Sequence, residues 1–138
     1  EVFLVKVMGF HWDEVHEQAH GLQLTITDAF EDHMDIVAGF PTHCPHGDPI
    51  PTKEGRMAAT NDRPLPDLPP NTPAVLRRVK TDDGEKLRYL EELGLVPGSP
   101  VRIVHRAPFN GPLRLQANGR DHVIGMELAK TLRVEVAG

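Results

Sequence analysis

The chain has one cysteine, Cys44, in 138 residues, so no internal disulfide can brace it, and the composition suits a reducing compartment. No apolar run approaches the roughly 18 residues that span a bilayer, and no signal peptide opens the sequence. Together these absences point to a cytoplasmic protein. A basic face is missing as well. Fifteen Lys and Arg stand against 20 Asp and Glu, for a net charge of −5, the reverse of a nucleic-acid-binding footprint. If the protein acts on DNA, other residues must touch it. No Gly-rich phosphate loop and no Ser-His-Asp arrangement stands out. The first residue is Glu1, not Met, inside an apolar stretch, and the expectation is that further sequence lies upstream.

What is present is organised around Phe40-Pro-Thr-His-Cys-Pro-His-Gly-Asp-Pro-Ile-Pro51. Pro and Gly stiffen this stretch into an irregular loop. Cys44 and His46 are two apart, and in extended chain alternate residues point the same way. A thiolate and an imidazole facing one point suit a transition metal. Two ligands do not complete a site; without further donors the pair reads equally as a small buried thiol and a loop-stapling histidine.

Ahead of this loop the pattern is helical. Residues 1–8 end at Gly9 and read as the close of a helix. Trp12, Val15, Ala19 and Leu22 recur at spacings of 3 and 4, giving one apolar stripe, and His16 and His20 share a neighbouring face. Thr27 and Asp28 can cap a third helix carrying Phe30, His33, Met34 and Val37, with Gly39 as its stop. Helices this short cannot bury such stripes alone, so a partner chain or further upstream sequence is needed, and a symmetric homodimer is the commonest solution. Residues 52–72 are rich in Pro and read as a linker between domains. Residues 73–138 are β-rich: strands at 74–79, 101–104, 113–117, 120–124 and 132–136, a hairpin turn at Asn118-Gly119, and a short helix opened by an Asp82/Glu85 capping box. That set implies a small barrel.

Several motifs together resemble the diphtheria-toxin-repressor family of iron- and manganese-dependent transcriptional regulators. They are the 40–51 loop, Leu87-Arg-Tyr-Leu-Glu-Glu-Leu-Gly-Leu-Val-Pro-Gly98, and Gly125-Met-Glu-Leu-Ala-Lys130. The resemblance implies an α+β fold: a short helical dimerisation and metal-binding domain over 1–51, then an SH3-like β-barrel over 73–138, like that of a small ferrous-iron-transport protein. Nothing corresponds to the family's N-terminal winged helix-turn-helix, so DNA reading is expected upstream of Glu1 and no DNA-binding residue within the chain. Two metal sites are implied. The activating site would use His20, but Gln23 and Leu24 stand where the family offers a Glu and a His, so this site is degenerate. The second draws on Glu1, Cys44, His46 and Asp83, with His16 in the place of a histidine ligand of some members. Asp82 then serves as the helix cap, leaving Asp83 free, and Lys86 is not expected to ligate.

The functional expectation is a manganese- or iron(II)-responsive repressor, of which this chain is the dimerisation and SH3-like portion. Metal binding would dock the barrel on the dimer core. The thiolate also admits zinc or cobalt. No enzymatic activity is expected. Two other classes remain open on the residues alone: a metal-free interaction module, and a hydrolase built on zinc, for which no general base is placed beside the cluster.

Overall fold

A computed structural model describes residues 1–52, 54–56 and 60–137. Three helices come first: α1 (Val2–Lys6), α2 (Val15–Gln23) and α3 (Asp28–Val37). Their ends follow the sequence signals. Gly9 and Gly39 turn the chain out of α1 and α3 with φ of 78° and 83°, the left-handed conformation in which Gly escapes the Cβ penalty. The Thr27 hydroxyl accepts from Phe30 N at 3.2 Å and caps α3.

The second half is an antiparallel sheet ordered β1-β6-β2-β3-β4-β5. Its strands are β1 (Arg63–Pro64), β2 (Ala74–Val79), β3 (Pro100–Arg106), β4 (Leu113–Ala117), β5 (Arg120–Ile124) and β6 (Leu132–Val136). α4 (Gly84–Glu92) follows β2, and α5 (Met126–Ala129) precedes β6. Asn118 and Gly119 sit at φ of 53° and 76°, as the tight turn between β4 and β5 requires. Alternate residues of the strands face inward: Leu76, Ile103, Leu115, Leu132 and Val134 are fully buried together with Leu87 of α4.

Of the stretch 52–72 expected to be linker, residues 53 and 57–59 lie outside the described residues, and residues 62–68 are built into the barrel. Arg63 and Pro64 pair with Val134 and Arg133 of β6. Leu65 and Leu68, which flank a 3-10 turn, are wholly buried in the barrel core. Asp62 anchors this entry. It accepts from Arg78 Nε at 2.6 Å and Arg133 Nε at 3.0 Å, and the Arg78 guanidinium holds its carboxyl below the usual carboxylate range. Pro density signals an extended chain, but a Pro is compatible with an edge strand such as β1, so composition alone could not exclude pairing here.

The two halves differ in burial. A fully buried Leu contributes roughly 2 kcal/mol, and the barrel holds many. Among the described residues 1–52, only Val2, Leu4, Trp12, Val15 and Ala38 are buried hydrophobics, and Trp12 belongs to the barrel's core cluster. The α3 stripe faces outward: Phe30, Ile36 and Val37 are more than half exposed, as are Leu24 and Phe40 beside it.

The 40–51 loop is stitched to β2. Val79 N donates to His46 O at 2.8 Å. Gly47, at φ 90°, lies so close to β2 that a Cβ there would fall 1.9 Å from Arg77 O. Gly9 has a similar φ but open space around it. Gly9→Ala is therefore expected to cost about 1 kcal/mol of backbone strain, whereas Gly47→Ala adds overpacking against backbone and should reach about 3 kcal/mol. Thermal melting of the two variants side by side checks this, and equal losses would contradict the close approach.

Candidate metal centre

The loop folds back on itself. His43 bridges Pro49, Cys44 N donates to Asp48 O at 2.8 Å, and Gly47 N donates to Cys44 O at 2.9 Å. This tight turn sets the Cys44 thiol and the His46 ring on one side. His46 is buried, stacked on Trp12 with ring centroids 5.5 Å apart. Its Nε2 lies 2.7 Å from Trp12 O. A carbonyl oxygen can only accept, so Nε2 donates here and Nδ1 is the nitrogen left for a ligand. That arrangement, in which one imidazole nitrogen donates to a fixed acceptor and the other is free, is how proteins orient ligating histidines.

The free Nδ1 lies 3.9 Å from Glu1 Oε1. One ligand atom each from Glu1, Cys44 and His46 falls within 4.8 Å of the others. Two further side chains extend the cluster. His16 Nδ1 is 3.5 Å from Glu1 Oε2, and His16 Nε2 is 3.4 Å from Asp82 Oδ2. All five residues line one cleft of about 540 Å³, together with Asp48 and Lys80, which pair with each other at 3.0 Å.

The donors fit a divalent transition metal. Glu1 Oε2 is buried without a hydrogen-bond partner among the described residues, a costly state for a carboxylate oxygen. Burial pushes the Cys44 thiol up from its ordinary pKa. The backbone N–H groups at His46 and Asp48 oppose this, and the carboxylates of Glu1 and Asp48 add to it. Without a cation the thiol therefore stays protonated at neutral pH. Thiolate, imidazole and carboxylate together match iron(II), cobalt or zinc, and the oxygen and nitrogen donors also suit manganese. Ligands around one cation at roughly 2.1 Å sit about 3.0–3.5 Å apart, so closing the site from separations within 4.8 Å needs the ligand atoms to approach one another by up to about 1.8 Å.

Of the residues expected as ligands, Glu1, Cys44, His46 and His16 are brought together. Asp83 and His20 are not. Asp83 caps α4, its Oδ1 accepting from Glu85 N at 3.0 Å, and the carboxylate turned to the cleft is Asp82. The helix starts at Gly84, one residue later than an Asp82/Glu85 capping box requires, which exchanges the two roles. His20 lies one turn past His16 on α2 and is exposed, outside the cleft lining. Gln23 and Leu24 are exposed too, and Leu24 offers no donor atom. Lys86, set aside as a ligand, pairs with Glu127 at 3.1 Å. Trp12 carried no ligand signal, since its role runs through a main-chain carbonyl and a ring face that no motif encodes. The spacing of Trp12 on its stripe marked it only as core.

Comparison with known proteins places these features in a family. A model described as the iron dependent repressor, metal binding and dimerisation domain matches residues 1–52, and a FeoA domain model matches residues 63–136. The iron-dependent repressor IdeR of Mycobacterium leprae is 28% identical over 147 residues, covering 98% of this chain and 64% of that protein. The diphtheria toxin repressor of Corynebacterium diphtheriae is 26% identical, with 98% and 63% covered. A solved manganese-dependent transcriptional repressor in complex with manganese superposes with a TM-score of 0.93 at 30% identity, over 98% of this chain and 64% of that one. The chain thus spans somewhat less than two thirds of the length of these relatives. The matched models, the relatives and the superposition agree that this chain belongs to the diphtheria-toxin-repressor family of metal-dependent regulators, with its metal-binding and dimerisation domain followed by a FeoA domain of SH3-like fold.

Proposed function

We propose that this chain is the metal-sensing and dimerising portion of a repressor responsive to manganese(II) or iron(II). The observation that carries the reading is the convergence of Glu1, Cys44 and His46, with one carboxylate oxygen buried and making no hydrogen bond among the described residues. Glu1, His16, Cys44 and His46 would hold the cation. Asp82, 3.4 Å from the far nitrogen of His16, would orient that ring as a supporting carboxylate. A bound cation supplies positive charge that satisfies Glu1 and stabilises the Cys44 thiolate; no catalytic chemistry is required of it.

The sensing step lies in what these ligands join. Glu1 stands at the start of α1, His16 on α2, and Cys44 and His46 in a loop bonded to β2 of the barrel. Holding one cation ties the short helices to the barrel. The signal is the difference in affinity between docked and undocked arrangements, since binding that does not discriminate shifts nothing. DNA reading would come from that part of the relatives' length which this chain does not span, with the docked barrel setting the spacing of two such readers in a homodimer. The outward apolar stripe of α3, with Phe30 and Val37 at its centre, is the surface we assign to the dimer contact.

Three measurements test the reading. Calorimetric manganese titration should show Asp82→Asn weakening binding by about 10-fold, as for other supporting residues, and Cys44→Ala by more; unchanged affinity in Cys44→Ala would remove the loop from the site. The pH dependence has a definite sign. With the thiol pKa raised, binding must displace its proton, so affinity rises with pH by about tenfold per unit for that one proton below the raised value. Cys44→Ala should reduce the slope by one proton. Sedimentation should find the chain dimeric and Phe30→Glu/Val37→Glu monomeric with an intact barrel; a monomeric parent chain would refute the assigned contact.

A further inference from the structure

A second group of ligand atoms lies beyond the first. His11 Nδ1 is 3.8 Å from Asp13 Oδ1 and 3.9 Å from Glu91 Oε2, and one ligand atom from each of the three falls within 4.8 Å of the others. His11 and Asp13 belong to the turn before α2, whereas Glu91 is on α4 of the barrel, so chain segments far apart in sequence meet here. His11 and Glu91 border a cleft of about 450 Å³ lined also by Trp12, Pro45 and Pro97.

The local charge favours a cation. Glu14 Oε1 accepts from His11 N at 3.2 Å, which brings a third carboxylate. The opposing charge is Arg88, whose NH1 lies 3.2 Å from Asp13 Oδ2. Three carboxylates against one guanidinium leave an excess of negative charge. The geometry is also prepared. The Asp13 side chain is only 8% exposed, and Arg88 fixes its other oxygen, which leaves Oδ1 towards His11. Glu91 is fixed by the Trp12 indole, whose Nε1 donates to Oε2 at 3.1 Å; a carboxylate oxygen has further lone pairs for a metal. A surface salt-bridge cluster would need none of this alignment across two domains.

We propose that His11, Asp13 and Glu91 form a second divalent-cation site, bridging the helical half and the barrel and coupled through Trp12 to the Cys44–His46 site. One nitrogen and two oxygens, without sulfur, select harder cations such as manganese(II) or iron(II), with zinc or cobalt also accepted. Trp12 is the link: its indole N–H holds Glu91, while its ring and carbonyl hold His46. Filling the second site fixes Trp12 and with it the orientation of His46. The coupling rests on the proposed function of the loop site; the second site itself does not.

The test is cobalt(II) and manganese(II) titration of the chain and its variants, read by bound-metal analysis and absorption. Only a site containing Cys44 gives a thiolate-to-cobalt charge-transfer band. The parent chain should bind two cations. Cys44→Ala/His46→Ala should bind one without that band, and adding His11→Ala or Glu91→Gln should abolish it. His11→Ala alone should keep the band but shift its titration to about 10-fold higher cobalt, within the usual range of coupling between sites. Gln at 91 retains an acceptor for the indole, and His11 is exposed, so unchanged melting is expected to accompany both. If the double loop variant binds no cation, or binds one regardless of His11 and Glu91, the proposal is wrong. A parent chain with no charge-transfer band but one His11-dependent cation would instead overturn the loop reading and leave this one standing.

Discussion

The hydrogen bond from His46 Nε2 to Trp12 O, at 2.7 Å, is the constraint on which the candidate centre depends. It selects the tautomer, turns Nδ1 towards Glu1, and does so from a main-chain atom that cannot swing away. Trp12 is itself held at three points: its ring by the barrel core, its indole nitrogen by Glu91, and its carbonyl by His46. The imidazole is thereby oriented by the relation between the helical half and the barrel, and any loosening of that relation misplaces a donor atom. Under the proposed function, a site of this kind would read domain docking directly, without an intervening pathway of shifts.

Electrostatics points the same way. In the absence of a cation the centre is frustrated: a buried Glu1 oxygen makes no hydrogen bond among the described residues and has only His16 nearby at 3.5 Å, and the Cys44 thiol is held protonated by burial and by neighbouring carboxylates. These unfavourable terms are modest beside the many buried leucines of the barrel, so the barrel tolerates them. The short helices bury little of their own and lean on the barrel through Trp12 and on the 40–51 loop. Free energy supplied at the centre by a bound cation would therefore be felt where the structure is weakest, as the proposed sensing role requires.

Much of the architecture was legible from local chemistry. The Gly stops after α1 and α3, the Thr27 cap, the Asn118-Gly119 turn and the alternation in β6 all depend on residues within a few positions of each other. Where reading failed, the deciding contact was distant. Arg63 and Pro64 looked like linker because nothing nearby announces their pairing with β6 some 70 residues later. Asp82 and Asp83 are adjacent carboxylates, either able to cap a helix, and a one-residue shift in the helix start exchanged cap and cleft. His20 shares a helix with His16, but only His16 is on the side that meets Glu1 and Asp82.

By itself the sequence determined most of the helices, strands and turns, and that a thiol and an imidazole two residues apart would share a side of a stiff loop; these follow from backbone preferences and short-range geometry. Only the tertiary structure decided which carboxylates join them, that Trp12 sets the histidine, and that the loop rides on β2. Those outcomes depend on how separate segments pack, and packing is settled by burial and shape over the whole chain, which no local pattern records.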